Sequence, residues 1–243
     1  MTQVYTSSQQ FDVARLAAEV AVARNVSEFE EGPYGNCISL PAAEDLHERF
    51  RDHHNNVPFS GALSQCPYMR EIFDGFLTEK AAFRLLRRPA KAAYALHDDK
   101  DKGRDVLRFQ IPINSGDHAF LLLTREGIDL GNFESLAARM KHDEASDYGF
   151  NLEMLDEILG GQFDLFCLQP GKLYYFDTDN LHTLINAEEN ERVVLSIDLI
   201  INDWVRDWMQ TSLVQPVAAS TVQRTSAINW QWNALRHGVI RNA

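Results

Sequence analysis

Two stretches with a strict two-residue period constrain this chain more than anything else in it. In VLRFQIPI, residues 106–113, Leu107, Phe109, Ile111 and Ile113 fall on one side of an extended backbone, with Arg108 and Gln110 on the other. RVVLSIDLII, residues 192–201, repeats the design: Val193, Leu195, Ile197 and Leu199 oppose Arg192, Val194, Ser196 and Asp198. Between them lie AFLLLT (119–124), FDLFCLQ (163–169), KLYYFD (172–177) and HTLINA (182–187), with a Pro170–Gly171 turn. Short strands punctuated by turns in this way predict a sandwich or barrel.

The flanks read differently. FDVARLAAEVAVARN, residues 11–25, predicts an Ala-rich helix with Phe11, Val13, Leu16 and Val20 on its apolar side. Further helices are expected over 42–52, 69–77 and from 202 onward, and 125–162 reads as a polar, helical insertion between strands. With 243 residues, 45% hydrophobic, a single domain is expected: a helical portion over 1–89, a β core over 90–200, and a C-terminal helix and tail over 201–243. A formal net charge of -12 argues against a broad surface for nucleic acid or acidic membranes, while leaving room for a local basic pocket. The N-terminus lacks a basic-then-apolar leader and no apolar run approaches the roughly 20 residues a bilayer requires, so a cytoplasmic protein is expected. Cys37, Cys66 and Cys167 are far apart without a C-x-x-C spacing and read as free thiols.

The polar residues of YALHDDK, 94–100, carry the chemistry. His97 and Asp99 are one residue apart, so on a continuing strand they project from one face, beside Ala93 and Ala95. His182 precedes another strand and supplies a third donor. Two histidines and a carboxylate form the facial triad of non-haem Fe(II), with positions left open for a co-substrate. Arg192 follows His182 by ten residues, enough for a strand, a turn and a return. An oxo-acid such as 2-oxoglutarate could then chelate the metal and pair its distal carboxylate with Arg192. Arg108 offers a second carboxylate receptor, for cofactor or substrate. A lone His-x-Asp arises often by chance, so it is the combination that points to this chemistry. His53 and His54, adjacent in a loop, read as a solvated pair.

At these residues the chain resembles the aspartyl/asparaginyl β-hydroxylase family of 2-oxoglutarate/Fe(II) dioxygenases, and is similar to its bacterial proline hydroxylases. The resemblance spans about 90–200 and rests on His97-x-Asp99, RFQIPI, GKLYYFDTDNLHTLIN and Arg192 in RVVLSIDL. It implies a mainly β protein with flanking helices, built on a double-stranded β-helix (jelly-roll, cupin-like). It also implies Fe(II) at His97, Asp99 and His182, and 2-oxoglutarate held by Arg192, with Arg108, Gln110 and Ser196 completing the cofactor site. Gln110 stands where the family often has histidine, and it can still donate a hydrogen bond.

The implied reaction consumes 2-oxoglutarate and dioxygen, releases succinate and carbon dioxide, and hydroxylates an unactivated C–H bond. Asp99 leaves no ligand position for a halide. A small amino acid or amino-acid-derived metabolite is the expected substrate, with an Asp/Asn or other residue in a peptide as the alternative; a homodimer is possible. Arg84, Arg87 and Arg88 could meet a substrate carboxylate, although a solvated basic strand end is the simpler reading. Two rivals remain: a non-enzymatic cupin-like binding protein, which needs no Arg192, and a cupin enzyme with three or more histidine ligands, for which His118 is the spare candidate. The 125–162 insertion is expected to form a lid or subunit contact.

Overall fold

The computed structural model describes residues 4–32, 35–51, 57–93, 95–100, 105–128, 131, 149–213, 215–220, 229–232 and 239–240. Eight strands form its body: β4 (Lys80–Arg88), the broken pair β5 (Ala92–Ala93) and β6 (Leu96–His97), β7 (Val106–Asn114), β8 (Ala119–Thr124), β10 (Phe163–Cys167), β11 (Lys172–Phe176), β12 (His182–Asn186) and β13 (Arg192–Ile200). One sheet runs β4-β13-β7-β11, and the facing sheet runs from β5 and β6 through β12 and β8 to β10, with these neighbours antiparallel. Counting β5 and β6 as one strand, the orders are 1-8-3-6 and 2-7-4-5, the double Greek key of a jelly-roll.

Additional strands widen this frame. β1 (Val4–Gln10) pairs with β11 and carries β14 (Gln215–Pro216) on its outer edge, while β2 (Glu30–Gly32) and β3 (Gly35–Ser39) extend the first sheet beyond β4. On the second sheet, β15 (Asn229–Trp232) lies parallel to β5 and pairs with β9 (Gly149–Asn151), and β16 (Val239–Ile240) lies parallel to β6. The N-terminal portion, expected to be helical, therefore also contributes sheet. VYTSSQQ and KAAFRLLRR escape a periodicity test because one is mostly polar and the other is buried along most of its length.

The alternation in β7 and β13 assigns each face. Leu195, Ile197, Leu199, Phe109 and Ile111 turn outward into a core shared with α1 (Val13–Val26) and α2 (Pro67–Gly75), while α4 (Asp203–Ser212) closes its end through Val205 and Trp208. A second core joins the outer face of the other sheet to α3 (Leu152–Leu159). Between the sheets, Leu121, Leu123, Phe166 and Leu184 meet Tyr174 and Phe176. The helix expected over 42–52 is instead two short 3-10 turns, Ala43–Asp45 and Glu48–Phe50, separated by Leu46, whose buried side chain joins the core. Of the 125–162 insertion, α3 packs on the second sheet through Leu152, Leu155 and Leu159, and residues 132–148 lie outside the described part, as do His53 and His54.

One buried carboxylate locks the helical layer. Glu19 of α1 accepts from the backbone N–H of Tyr68 at 2.7 Å and of Met69 at 2.8 Å, meeting the otherwise unpaired donors and positive dipole end of α2. Glu19→Ala strips both amides of their acceptor and is expected to cost about 1–3 kcal/mol in urea unfolding. Glu19→Gln, which keeps one acceptor oxygen, should recover part of that loss.

Candidate metal centre

β6 and β12 are bonded neighbours, and His182 stands directly opposite His97 in their register. The two rings lie 4.4 Å apart, centre to centre. Asp99 follows the end of β6 and is tied down by its amide N–H, which donates to the Thr178 carbonyl at 2.9 Å. Its Oδ2 lies 3.8 Å from Nε2 of His182. One donor atom from each of the three lies within 4.8 Å of the other two, and all three residues are buried. The set could hold a metal ion.

Backbone carbonyls set the imidazole tautomers. Nδ1 of His97 lies 2.8 Å from the Ala95 oxygen, and Nδ1 of His182 lies 2.8 Å from the Asn180 oxygen. A carbonyl only accepts, so each Nδ1 carries the hydrogen and the lone pair falls on Nε2, the form a divalent cation needs. The strand is broken upstream: Ala93, Ala95 and Leu96 belong to the outer core against α3, and only His97 turns inward, so the small residues expected beside it lie on the other face. Asp98, out of phase with the two donors, pairs with Lys100 at 3.4 Å.

Across the first sheet, the inward side chains line up in rows. Arg192 lies beside Arg88; Ser39, Arg84, Ser196 and Gln110 follow one another on β3, β4, β13 and β7; Asp198 lies beside Arg108. Arg108 grips both oxygens of Asp198, through Nε and Nη2 at 2.7 Å each, and its Nη1 donates to Oδ2 of Asp99. Arg84 Nη2 reaches the same Asp198 at 3.1 Å. The guanidinium expected to receive a ligand carboxylate is thus engaged by two carboxylates of the protein, and its reach to Asp99 ties it to the candidate metal centre.

Arg192 is the opposite case. It is 1% exposed; Nε donates to Ser115 Oγ at 3.2 Å, while Nη1 and Nη2 have no hydrogen-bond partner among the described residues. Burial, with the charge of Arg88 nearby, pushes its pKa down to about 9, so the group is still cationic at neutral pH. Gln110 Oε1 and Ser196 Oγ are likewise buried without partners. Orphaned polar atoms of this kind are rare in native proteins and call for an explanation. The donors among them, Nη1 and Nη2 of Arg192 and the Ser196 hydroxyl, fit an anion bound along the sheet, and the donor set of His97, Asp99 and His182 fits Fe(II).

Other expectations change. Arg84 and Arg88 are buried rather than a solvated strand end, and Arg87 pairs with Glu191 at 2.7 Å. Phe83 and Leu85 alternate with Arg84 and Leu86, a two-residue period that the repeated arginines of FRLLRR disguise as a basic surface. His118 is exposed, 4.0 Å from Glu188, and does not join the donor cluster. Cys37, Cys66 and Cys167 are free thiols. Among the described residues, no helix is long and apolar enough to cross a membrane.

No protein-family model and no curated protein matches the chain. Solved structures with a similar course include an oxidoreductase of the 2OG-Fe(II) oxygenase family from Burkholderia pseudomallei, 15% identical, covering 78% of this chain and 80% of its own, TM-score 0.43. HygX from Streptomyces hygroscopicus, solved with nickel and 2-oxoglutarate bound, is 11% identical over 83% of this chain and 84% of its own, TM-score 0.49. The non-heme alpha ketoglutarate dependent carbocyclase SnoK from nogalamycin biosynthesis is 10% identical over 96% and 93%, TM-score 0.48. Likenesses this distant carry no argument about the chemistry of this chain.

If the three donors act together, His97→Ala and His182→Ala should keep a near-wild-type circular dichroism spectrum. Their affinity for Co(II), followed by its visible absorption, should fall by about tenfold or more. Unchanged titrations in both variants would remove the cluster from consideration as a metal centre.

Proposed function

We propose that this chain is a 2-oxoglutarate-dependent non-haem Fe(II) dioxygenase that hydroxylates an unactivated C–H bond of a small amino acid or amino-acid-derived metabolite, releasing succinate and carbon dioxide. One observation carries the reading. The jelly-roll that holds His97, Asp99 and His182 together also buries the Arg192 cation with two unpartnered nitrogens. A metal-binding protein without turnover has no use for that cation, whose burial is costly unless an anion meets it.

When bound, Fe(II), 2-oxoglutarate and dioxygen supply the oxidising chemistry. His97 and His182 would hold the iron through Nε2 and Asp99 through its carboxylate. Arg108, clamped by Asp198, keeps Asp99 oriented and takes up part of its charge. Arg192, through the unpartnered Nη1 and Nη2, would receive the distal carboxylate of 2-oxoglutarate as a charge-assisted pair. Ser196 and Gln110, both inward-facing on adjacent strands, would donate to the bound co-substrate through the Ser196 hydroxyl and the Gln110 side-chain N–H. Leu121, Leu123, Leu184 and Phe176 form the dry wall between the sheets, which strengthens these polar contacts by excluding water.

Anaerobic titration of 2-oxoglutarate into the Fe(II) protein, followed by the charge-transfer absorption of the chelate, tests this assignment. Truncating one partner of a buried charge pair costs about 2–5 kcal/mol, so Arg192→Ala should weaken 2-oxoglutarate by roughly thirtyfold or more with iron affinity nearly unchanged. Arg192→Lys should recover part of the loss, since a point charge cannot reproduce the fork. Arg108→Ala should instead weaken the iron site. Wild-type 2-oxoglutarate affinity in Arg192→Ala would contradict the assignment.

A further inference from the structure

The row Ser39, Arg84, Ser196 and Gln110 crosses four hydrogen-bonded strands, and each member keeps a buried polar atom without a partner among the described residues: Ser39 Oγ, Arg84 Nε, Ser196 Oγ and Gln110 Oε1. The four are 1%, 7%, 0% and 3% exposed. The Ser196 hydroxyl is accounted for by the co-substrate reading above, and Gln110, whose side-chain N–H that reading uses, is set aside with it. Ser39 and Arg84 stand on the far side of β13, on β3 and β4, and no part of that reading uses them.

We infer that Ser39 and Arg84 form the substrate's recognition site, and that the substrate is a small organic acid of net negative charge, held there by its carboxylate. The inference rests on the 2-oxoglutarate reading and adds the substrate class to it. The site is built on rigid elements. Arg84 is braced by Asp198 through Nη2 at 3.1 Å, its Nε is buried without a partner among the described residues, and Ser39 is its direct cross-strand neighbour. A hydroxyl beside a guanidinium edge gives a carboxylate two donors from one side. Asp198 also holds Arg108, so the substrate site and the candidate metal centre share one brace, Arg84–Asp198–Arg108–Asp99.

Charge decides between a zwitterion and an anion. Among the described residues of this inner face, Arg84, Arg108 and Arg192 meet Asp99 and Asp198, an excess of one positive charge before Arg88 is counted. Fe(II) and the 2-oxoglutarate dianion cancel each other and leave that excess in place. A free amino acid, carrying its own ammonium, brings no net charge to offset it. An acid without a free ammonium, or with a second carboxylate, does. The thiol of Cys37 lies within electrostatic reach of Arg84, Arg108 and Arg88, yet burial still pushes its pKa up, so it supplies no compensating negative charge at neutral pH.

The test uses the full chain loaded anaerobically with Fe(II) and saturating 2-oxoglutarate. A panel of N-acetyl amino acids, their uncharged primary amides and the parent amino acids is scored by ligand-observed NMR and calorimetry. At least one acid should bind about tenfold or more tightly than its own amide and its parent amino acid. Arg84→Gln should abolish that advantage. Ser39→Ala, which disturbs no ion pair, should reduce it about threefold without altering the unfolding midpoint, so the inference stands to be judged even if Arg84→Gln folds poorly. In both variants the 2-oxoglutarate charge-transfer band should persist. Acids binding no better than amides in the wild type, or keeping their advantage in Ser39→Ala and in folded Arg84→Gln, overturn the inference while leaving the band intact. A wild-type protein without the band overturns the co-substrate reading and this one together.

Discussion

The polar part of the space between the two sheets is arranged around buried positive charge. Arg84, Arg88, Arg108 and Arg192 all point inward from the first sheet, in a chain whose net charge is -12. These groups are almost wholly withdrawn from the surface, so a carboxylate of the protein or of a ligand offsets the cost of burying each charge. Arg108 has the first, in Asp198 and Asp99. The terminal nitrogens of Arg192 meet no protein acceptor among the described residues, and the proposed reading gives that side of the interior to ligand binding and the Arg108 side to positioning.

The fold makes the arrangement possible by giving the two faces of each strand different work. The outward residues of β7 and β13 bury against the helices, and that burial supplies stability of the usual kind, about 25 cal/mol per Å² of apolar area. The inward residues are thereby released from core packing and can be polar. Closure of the second sheet over them excludes water, and the break between β5 and β6 turns His97 toward His182 where an unbroken strand would have kept Ala95 on the same face. The Asp198 carboxylate joins three elements at once, because its neighbours in register are on β4 and β7 and Arg108 extends the chain of contacts to Asp99.

Much of this was legible in the sequence because the informative residues sit on regular alternation. His97-x-Asp99, His182 and Arg192 could be picked out by residue type and spacing, and the strand faces of β7 and β13 follow from the period of two. The contribution of β4 was hidden. FRLLRR looks like a basic surface, since arginine is rarely buried and nothing local reveals the carboxylate across the sheet that pairs with it. The engagement of Arg108 by Asp198 depends on the register of two strands 90 residues apart in sequence, which spacing alone does not encode. Ser39 had no signal at all: its place in the row exists only once β3 has paired with β4.

The central claim is that this interior turns over 2-oxoglutarate. Incubating the full chain in air with Fe(II), ascorbate and 2-oxoglutarate, and following succinate by NMR against an Arg192→Ala control, measures it without knowledge of the substrate. The account predicts slow but continuous succinate release that requires iron and is lost in the control at low co-substrate concentration. No iron-dependent succinate above the rate seen without protein, at any 2-oxoglutarate concentration and with the panel of small acids added, would contradict it.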